Sequence, residues 1–256
     1  MFSIRNTDKN FFNKTGYLLK SVFNDNEKYF NYSKELHQEL KKIQNNRFLE
    51  KLGGYKSGNL NIELGHYSEK FLDLFFKKNL KVFFEDITGE HIDDYEIKTG
   101  GNLNLPDSKN QFFHTDGNWY PRMIIFNFAT IDINLNNGPI EILEGSHKME
   151  YPYWKFLLKK KDFLSKKITM NKGDILIREH RLWHRGTKNF SNSSREMIGI
   201  LFVKKLYKEK TKKKFSDLRV YENMYENNFK GRVKEFIFLN FKFLLVFYKI
   251  IISIKN

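Results

Sequence analysis

From about Tyr95 to Lys204 the chain breaks into short strand-like runs separated by turn signals, and this texture limits the open folds more than any other feature. The runs are Tyr95–Thr99, Asn102–Leu105, Gln111–Asp116, Arg122–Ile133, Pro139–Leu143, Asp174–Glu179 and Arg195–Lys204. Gly100-Gly101, Asn136-Asn137-Gly138-Pro139, Gly145-Ser146 and Asn171-Lys172-Gly173-Asp174 punctuate them. Many short strands with tight turns predict a sandwich, jelly roll or barrel. With helical patterning on both sides, the fold class is mainly β with α. The chain reads as a single domain: a helical and mixed flank over 1–94, a β core over 95–205 and a helical, basic and apolar tail over 206–256.

In the first flank, Leu36, Leu40, Ile43, Phe48 and Leu52 recur at helical spacing. This predicts a helix over Ser33–Leu52 that Gly53-Gly54 stops. Ser68 is placed to cap a second helix through Phe71, Leu72, Phe75 and Phe76. Between Gly145 and Gly173 the segment Tyr151-Pro-Tyr-Trp154-Lys-Phe156-Leu-Leu158 is aromatic, basic and partly helical in pattern. It fits a lid over a site or a cover on an outer sheet face. The tail carries a long apolar run, residues 236–252, interrupted by Lys242 and Lys249 on one helical face. Those charges argue against a spanning helix. They leave two readings, an in-plane amphipathic helix making peripheral membrane contact and packing against the N-terminal helices or a second subunit.

The 256 residues include no cysteine, so disulfides, thiolate metal sites and cysteine nucleophiles are excluded. Any metal must be held by histidine and carboxylate. The formal charge of +15 comes from lysines scattered along the whole chain. The densest runs, Lys159–Lys161 and Lys212–Lys214, read as solvated surface rather than an aromatic-interleaved nucleic-acid patch. No nucleic-acid partner is expected, while an anionic substrate or surface fits the charge. The N-terminus lacks an apolar run after a basic start, so the expected location is cytoplasmic, with membrane contact at most peripheral. The sequence leaves the oligomeric state open.

The chemistry sits in His114-Thr-Asp116, then His184, then Arg195. In a strand, residues i and i+2 share a face, so His114 and Asp116 project together. His184 follows the Asp174–Glu179 run and can be brought alongside by a two-sheet barrel. Two imidazoles and one carboxylate are the ligand set of a facial iron(II) site, which leaves three positions open. Arg195 shares a strand face with Met197, Gly199, Leu201 and Val203. An arginine pointing into such a barrel needs a carboxylate, and a dicarboxylate co-substrate supplies one. Taken singly, His184 reads as a structural histidine and Arg195 as a surface cation; it is their order and strand context that join them.

Five blocks carry a wider likeness: Gln111-Phe-Phe-His114-Thr-Asp116-Gly; Asn137-Gly-Pro-Ile-Glu-Ile-Leu-Glu-Gly145-Ser-His147-Lys; Gly173-Asp-Ile-Leu-Ile; Arg181-Leu-Trp-His184-Arg-Gly; and Ser194-Arg195. In order and spacing they resemble the phytanoyl-CoA dioxygenase family over about residues 100–204. The resemblance implies a double-stranded β-helix (jelly roll) core, with iron(II) and 2-oxoglutarate as cofactors and O2 as co-substrate. It implies His114, Asp116 and His184 as iron ligands and Arg195 as anchor of the distal carboxylate. Because Asp116 stands where related halogenases carry a small residue, it implies hydroxylation rather than halogenation. The expected substrate is a small molecule or a carrier- or lipid-linked metabolite. Three rivals remain: a non-catalytic jelly-roll binding module, an oxygenase acting on a macromolecule, and a structural or membrane-surface scaffold suggested by the tail.

Further candidates surround this set. Asn104 and Thr187 are placed to bind the co-substrate. Asn102, Trp119 and Tyr120 are placed to line the substrate pocket, with turn, ladder or packing roles as the alternatives. His180 is a candidate support for the metal site, and His147 reads as a structural hydrogen-bonding residue.

Overall fold

The computed structural model describes residues 6–205 and 217–255; the Lys212–Lys214 run and the start of the tail lie outside the described residues. In chain order the elements are α1 (Asn6–Thr15), β1 (Tyr17–Ser21), α2 (Glu27–Gln44), β2 (Asn59–Glu63), α3 (Tyr67–Lys77), α4 (Leu80–Thr88), β3 (Tyr95–Asn104), β4 (Met123–Phe128), β5 (Ile140–Leu143), α5 (Tyr153–Lys159), β6 (Ser165–Ile168), β7 (Asp174–Glu179), β8 (His184–Gly186), β9 (Arg195–Lys204), β10 (Arg219–Tyr221), α6 (Phe229–Asn240) and α7 (Lys242–Lys255). The strands form a seven-stranded sheet, ordered β1-β7-β4-β9-β3-β2-β10, and a three-stranded sheet, ordered β6-β5-β8. All pairings are antiparallel. The architecture is the double-stranded β-helix.

Alternation along the central strands decides what each face meets. Ile124, Phe126 and Phe128 of β4, Ile175 and Ile177 of β7, and Ile198, Ile200 and Phe202 of β9 are buried in one cluster with Leu36, Leu40, Phe71, Phe75 and Phe84 of the helices. Helices α2, α3 and α4 thus cover the outer face of the large sheet. A second buried cluster, including Ile140, Ile142, Ile168, Leu176 and Met197, fills the space between the sheets. At the open end of that space the residues sharing the parity of Leu176 and Met197 are polar, Arg178 and Arg195 among them, and there the site is built.

Several elements depart from the sequence expectations. The predicted Ser33–Leu52 helix begins earlier, capped by Asn26, whose side chain accepts from Tyr29 N at 2.8 Å. It ends at Gln44, where Asn46 caps a separate 3-10 turn over Arg47–Lys51. The asparagine side chain offers the backbone a competing partner and so divides the helix. Ser68 is not a cap: α3 starts at Tyr67, and the Ser68 hydroxyl bonds Thr99 Oγ1 at 2.8 Å. Gly100-Gly101 does not turn the chain, because β3 runs straight through it. A Cβ on Gly101 would lie 2.8 Å from the Met197 carbonyl, so glycine there permits close approach of β9. Gln111–Asp116 forms no strand of its own and meets the small sheet through an isolated bridge between His114 and His184 and through Gln111 N, which donates to Gly186 O at 3.0 Å.

Strands β1, β2, β6, β8 and β10 were not anticipated. Each has three to five residues, too short to show a period. The tail folds into α6 and α7. No single helix among the described residues is long and apolar enough to cross a membrane, and α6 and α7 meet at a bend of 118°. Helix α7 packs on α5 and on the Phe112 region rather than on the N-terminal helices.

Candidate active site

The two histidines meet because they are paired residues of an antiparallel ladder. His114 N donates to His184 O and His184 N to His114 O, both at 2.9 Å. Directly opposed residues project to the same face, and the two imidazole centroids lie 4.5 Å apart. Asp116 follows on the same side, its N–H donating to the His180 carbonyl at 2.9 Å. One donor atom from each of His114, Asp116 and His184 lies within 4.8 Å of the others.

Hydrogen bonding selects the tautomer of both rings. His114 Nδ1 lies 2.9 Å from the Phe112 carbonyl and His184 Nδ1 lies 2.8 Å from the Leu182 carbonyl. A carbonyl only accepts, so both Nδ1 atoms carry the proton and both Nε2 lone pairs face Asp116. The Nε2 atoms are 3.9 Å and 3.6 Å from the Asp116 oxygens. Burial, followed by the neighbouring Arg178, holds His184 down at about 3, and burial also lowers His114. Both rings are therefore neutral near pH 7. Burial acts to raise Asp116, but Arg178 and the two imidazoles outweigh it and keep the carboxylate well below its usual range. Two neutral imidazoles and one ionised carboxylate form the donor set a divalent metal requires.

Arg178 is the residue sequence reading missed. Its Nη1 sits 2.6 Å from Asp116 Oδ2, and its Nε donates to Asn127 Oδ1 at 2.9 Å. The available signal was parity: Arg178 interrupts the run Asp174-Ile-Leu-Ile-Arg178, on the face of the strand opposite Ile175 and Ile177.

The metal-type cluster opens into a cavity of about 130 Å³ lined by Asn59, Asn61, Asn102, Asn104, Gln111, Arg178, Arg195 and Met197, among others. Arg195 lies opposite Asn104 in the β3–β9 ladder, with Asn102 opposite Met197, so all four share the inward face. The guanidinium is 3% exposed. It donates to Asn102 Oδ1 at 3.2 Å and to the Gly138 carbonyl at 2.8 Å, and its Nε has no partner. Among the described residues no carboxylate lies within 4 Å of it, and burial pushes it down to about 10. A buried arginine without an anion is costly, and a carboxylate arriving from solution would relieve that cost.

The cavity wall is cut to shape around it: a Cβ on Gly138, which has φ +80°, would meet Asn104 Nδ2 at 2.4 Å. Asn104 Nδ2 donates to the Thr187 carbonyl at 2.9 Å and leaves its own Oδ1 unpartnered. Thr187 stands behind the cavity, its hydroxyl donating to Pro139 O at 2.6 Å.

Trp119 and Tyr120 lie outside this cavity. With Thr115, Tyr151 and Trp183 they line a separate groove of about 410 Å³. Tyr120 is 70% exposed, and Trp119 stacks beneath the Arg181 guanidinium at 4.9 Å. His180 does not touch the cluster through its ring. Nδ1 accepts from Met123 N at 2.9 Å and Nε2 lies 3.0 Å from the Asn118 carbonyl. It therefore clamps the 118–123 loop while its backbone carbonyl holds Asp116. His147 is buried beside Gly16, whose Cβ, if present, would lie 2.4 Å from Nδ1.

The fold is a double-stranded β-helix, and the open end of its barrel holds a His–Asp–His cluster that could bind a metal. A model of the phytanoyl-CoA dioxygenase (PhyH) family matches residues 82–197, somewhat under half of the chain but a stretch that contains all three clustered residues and Arg195. Among solved structures, the epimerase SnoN in complex with Fe3+, alpha ketoglutarate and nogalamycin RO superposes with TM-score 0.63 at 14% identity, covering 77% of this chain and 82% of that one. EvdO2 from Micromonospora carbonacea var. aurantiaca, complexed with 2-oxoglutarate, gives 0.60 at 13%, covering 80% and 92%. The alpha ketoglutarate dependent carbocyclase SnoK from nogalamycin biosynthesis gives 0.59 at 12%, covering 78% and 84%. At such identities the likeness is one of fold. No curated protein matches the sequence.

Proposed function

We propose that the chain is an iron(II)- and 2-oxoglutarate-dependent dioxygenase. It hydroxylates a C–H bond of a small-molecule or carrier- or lipid-linked substrate, releasing succinate and CO2. The observation that carries this reading is one cavity holding both a His–Asp–His cluster with free Nε2 lone pairs and a buried arginine without an anion.

In this reading His114 Nε2, an Asp116 oxygen and His184 Nε2 hold iron, and Arg195 takes the distal carboxylate of 2-oxoglutarate. Iron with its bound co-substrate supplies the oxidising power that no side chain here has. The chain's residues do the positioning. Arg178 holds one face of Asp116 and keeps it ionised. The Phe112 and Leu182 carbonyls fix the imidazole tautomers. Asn102 and Gly138 aim the Arg195 fork across the cavity. Asn104 lines it directly, while Thr187 acts by anchoring Asn104 through its carbonyl. Substrate enters along the groove that Trp119 and Tyr120 line.

Asp116 occupies the third ligand position, which favours oxygen transfer to carbon over halide transfer. An epimerase and a carbocyclase share this fold, so the product decides the outcome: hydroxylation adds one oxygen atom to the substrate, and cyclisation or epimerisation adds none.

The binding test is direct. Purified protein given iron(II) and 2-oxoglutarate without oxygen should develop a weak visible charge-transfer band. His114→Ala, Asp116→Ala and His184→Ala should each abolish it. A full-strength band in all three variants would overturn the ligand assignment.

A further inference from the structure

Helix α7 is turned the wrong way round for a helix facing water. Phe243, Leu244, Phe247, Tyr248, Ile251 and Ile252 are exposed, while Lys242 and Lys249 point inward and are partly buried. The two ammonium groups share the Phe112 ring, at 4.8 Å and 5.1 Å from its centroid. Phe112 lies two residues before His114 and supplies the carbonyl that fixes its tautomer. Lys242 donates to the Asn110 carbonyl at 2.9 Å and also sits over Phe238. Lys249 lies over two ring faces, Phe112 and Tyr153, the latter at 5.1 Å.

Among the described residues no carboxylate lies within 4 Å of either lysine. Arg185 is a cation that acts unfavourably on Lys242. Glu141, the acid beside this cluster, is already committed to Arg185 at 2.6 Å. Aromatic faces attract an ammonium but bring no counter-charge, and a cation drawn in from water in this way is stabilised when an anion meets it. Lys249 also lines a groove of about 800 Å³ with Tyr151, Tyr153, Trp154 and Ile252, where Glu150 is an exposed acid on the rim. Tyr151 and Glu150 line the Trp119–Tyr120 groove as well, so the lysine stands on the same approach to the active site.

We propose that Lys249, with Lys242 behind it, binds a phosphate- or carboxylate-type anionic group of the substrate, held at a distance from the carbon to be oxidised. This rests on the oxygenase reading for the word substrate, but the anion site itself does not need iron.

The test uses the full chain and inorganic phosphate as probe, followed by NMR of the lysine side-chain Cε and Nζ resonances. Saturable shifts at Lys249 and Lys242, larger than at Lys230 on α6, are expected. Lys249→Met should weaken phosphate binding about tenfold or more, as for loss of a charged hydrogen-bond donor, and Lys249→Arg should restore it. The anaerobic iron(II)/2-oxoglutarate band should be unchanged in both variants. This separates failure of the anion site from failure of the metal site.

A second arm distinguishes sources of the anion. Lys249-dependent sedimentation with phosphatidylcholine vesicles containing phosphatidylglycerol, absent with phosphatidylcholine alone, assigns the group to a lipid headgroup. Phosphate binding without vesicle binding assigns it to a soluble metabolite. Phosphate affinity unchanged by Lys249→Met, with Lys249 shifts no larger than those of Lys230, would overturn the proposal.

Discussion

At Asp116 two effects of opposite sign meet, and Arg178 decides between them. Burial alone would raise the carboxylate and favour its neutral form, which cannot bind a metal. The guanidinium at 2.6 Å, aided by the two imidazoles, reverses this. A carboxylate whose folded-state value is depressed stays ionised as pH falls, so the proposed metal site should persist into mildly acidic solution. In Arg178→Met the balance shifts upward, and protonation competes with metal at higher pH. Anaerobic iron(II) titrations should therefore show a modest loss of affinity at pH 7.5 and a larger loss at pH 5.5. Equal loss at both would mean that Arg178 acts only by packing. Arg178 was hard to see in the sequence because its partner is Asp116, 62 residues earlier, and no local pattern marks that pairing. His114 and Asp116 were legible because an i, i+2 pair in an extended run shares a face whatever the rest of the chain does.

At the scale of elements, α5 is the insert that the aromatic pattern between Gly145 and Gly173 announced. It is anchored beside the His114–His184 ladder by an aromatic cluster in which Phe156 stacks on Trp183 at 3.6 Å with planes 5° apart. Phe156 is fully buried, and Trp183 immediately precedes His184. Phe156→Ala should cost about 3–5 kcal/mol by transfer and cavity terms, read by chemical denaturation. It should also raise hydrogen exchange in α5 and β8 more than in α2. Uniform loss across the protein would show that α5 is not a separately anchored cover. Helix ends were the least legible feature at this scale. Asn26 and Asn46 set them through side-chain bonds to backbone N–H groups, while the apolar period that predicts a helix says nothing about where competing polar side chains will interrupt it. The short strands escaped for a related reason, since β8 has three residues and owes its existence to its neighbour β5.

For the whole molecule, the site bridges the two sheets. His184 begins β8 of the small sheet, while Arg178 and Arg195 stand on β7 and β9 of the large one. Ligands that bind both halves only when they are folded should raise the melting temperature by mass action. Iron(II) alone should give one increment and 2-oxoglutarate a second. Arg195→Met should lose the second and keep the first, while Asp116→Ala should lose both. Differential scanning fluorimetry under nitrogen would read this, and an undiminished 2-oxoglutarate increment in Arg195→Met would place the dicarboxylate elsewhere.

Taken alone, the order of residues narrowed the core to a sandwich, jelly roll or barrel and set the His–Asp pair and Arg195 on strand faces, while the jelly roll itself was implied by the family resemblance. The narrowing and the strand faces follow from strand parity and turn chemistry, which act over a few residues. The ladder pairing that sets His184 against His114, the guanidinium on Asp116 and the inward turn of Lys242 and Lys249 came only with folding. Each depends on which distant surface a segment packs against, and that is decided by burial and charge summed over the whole chain.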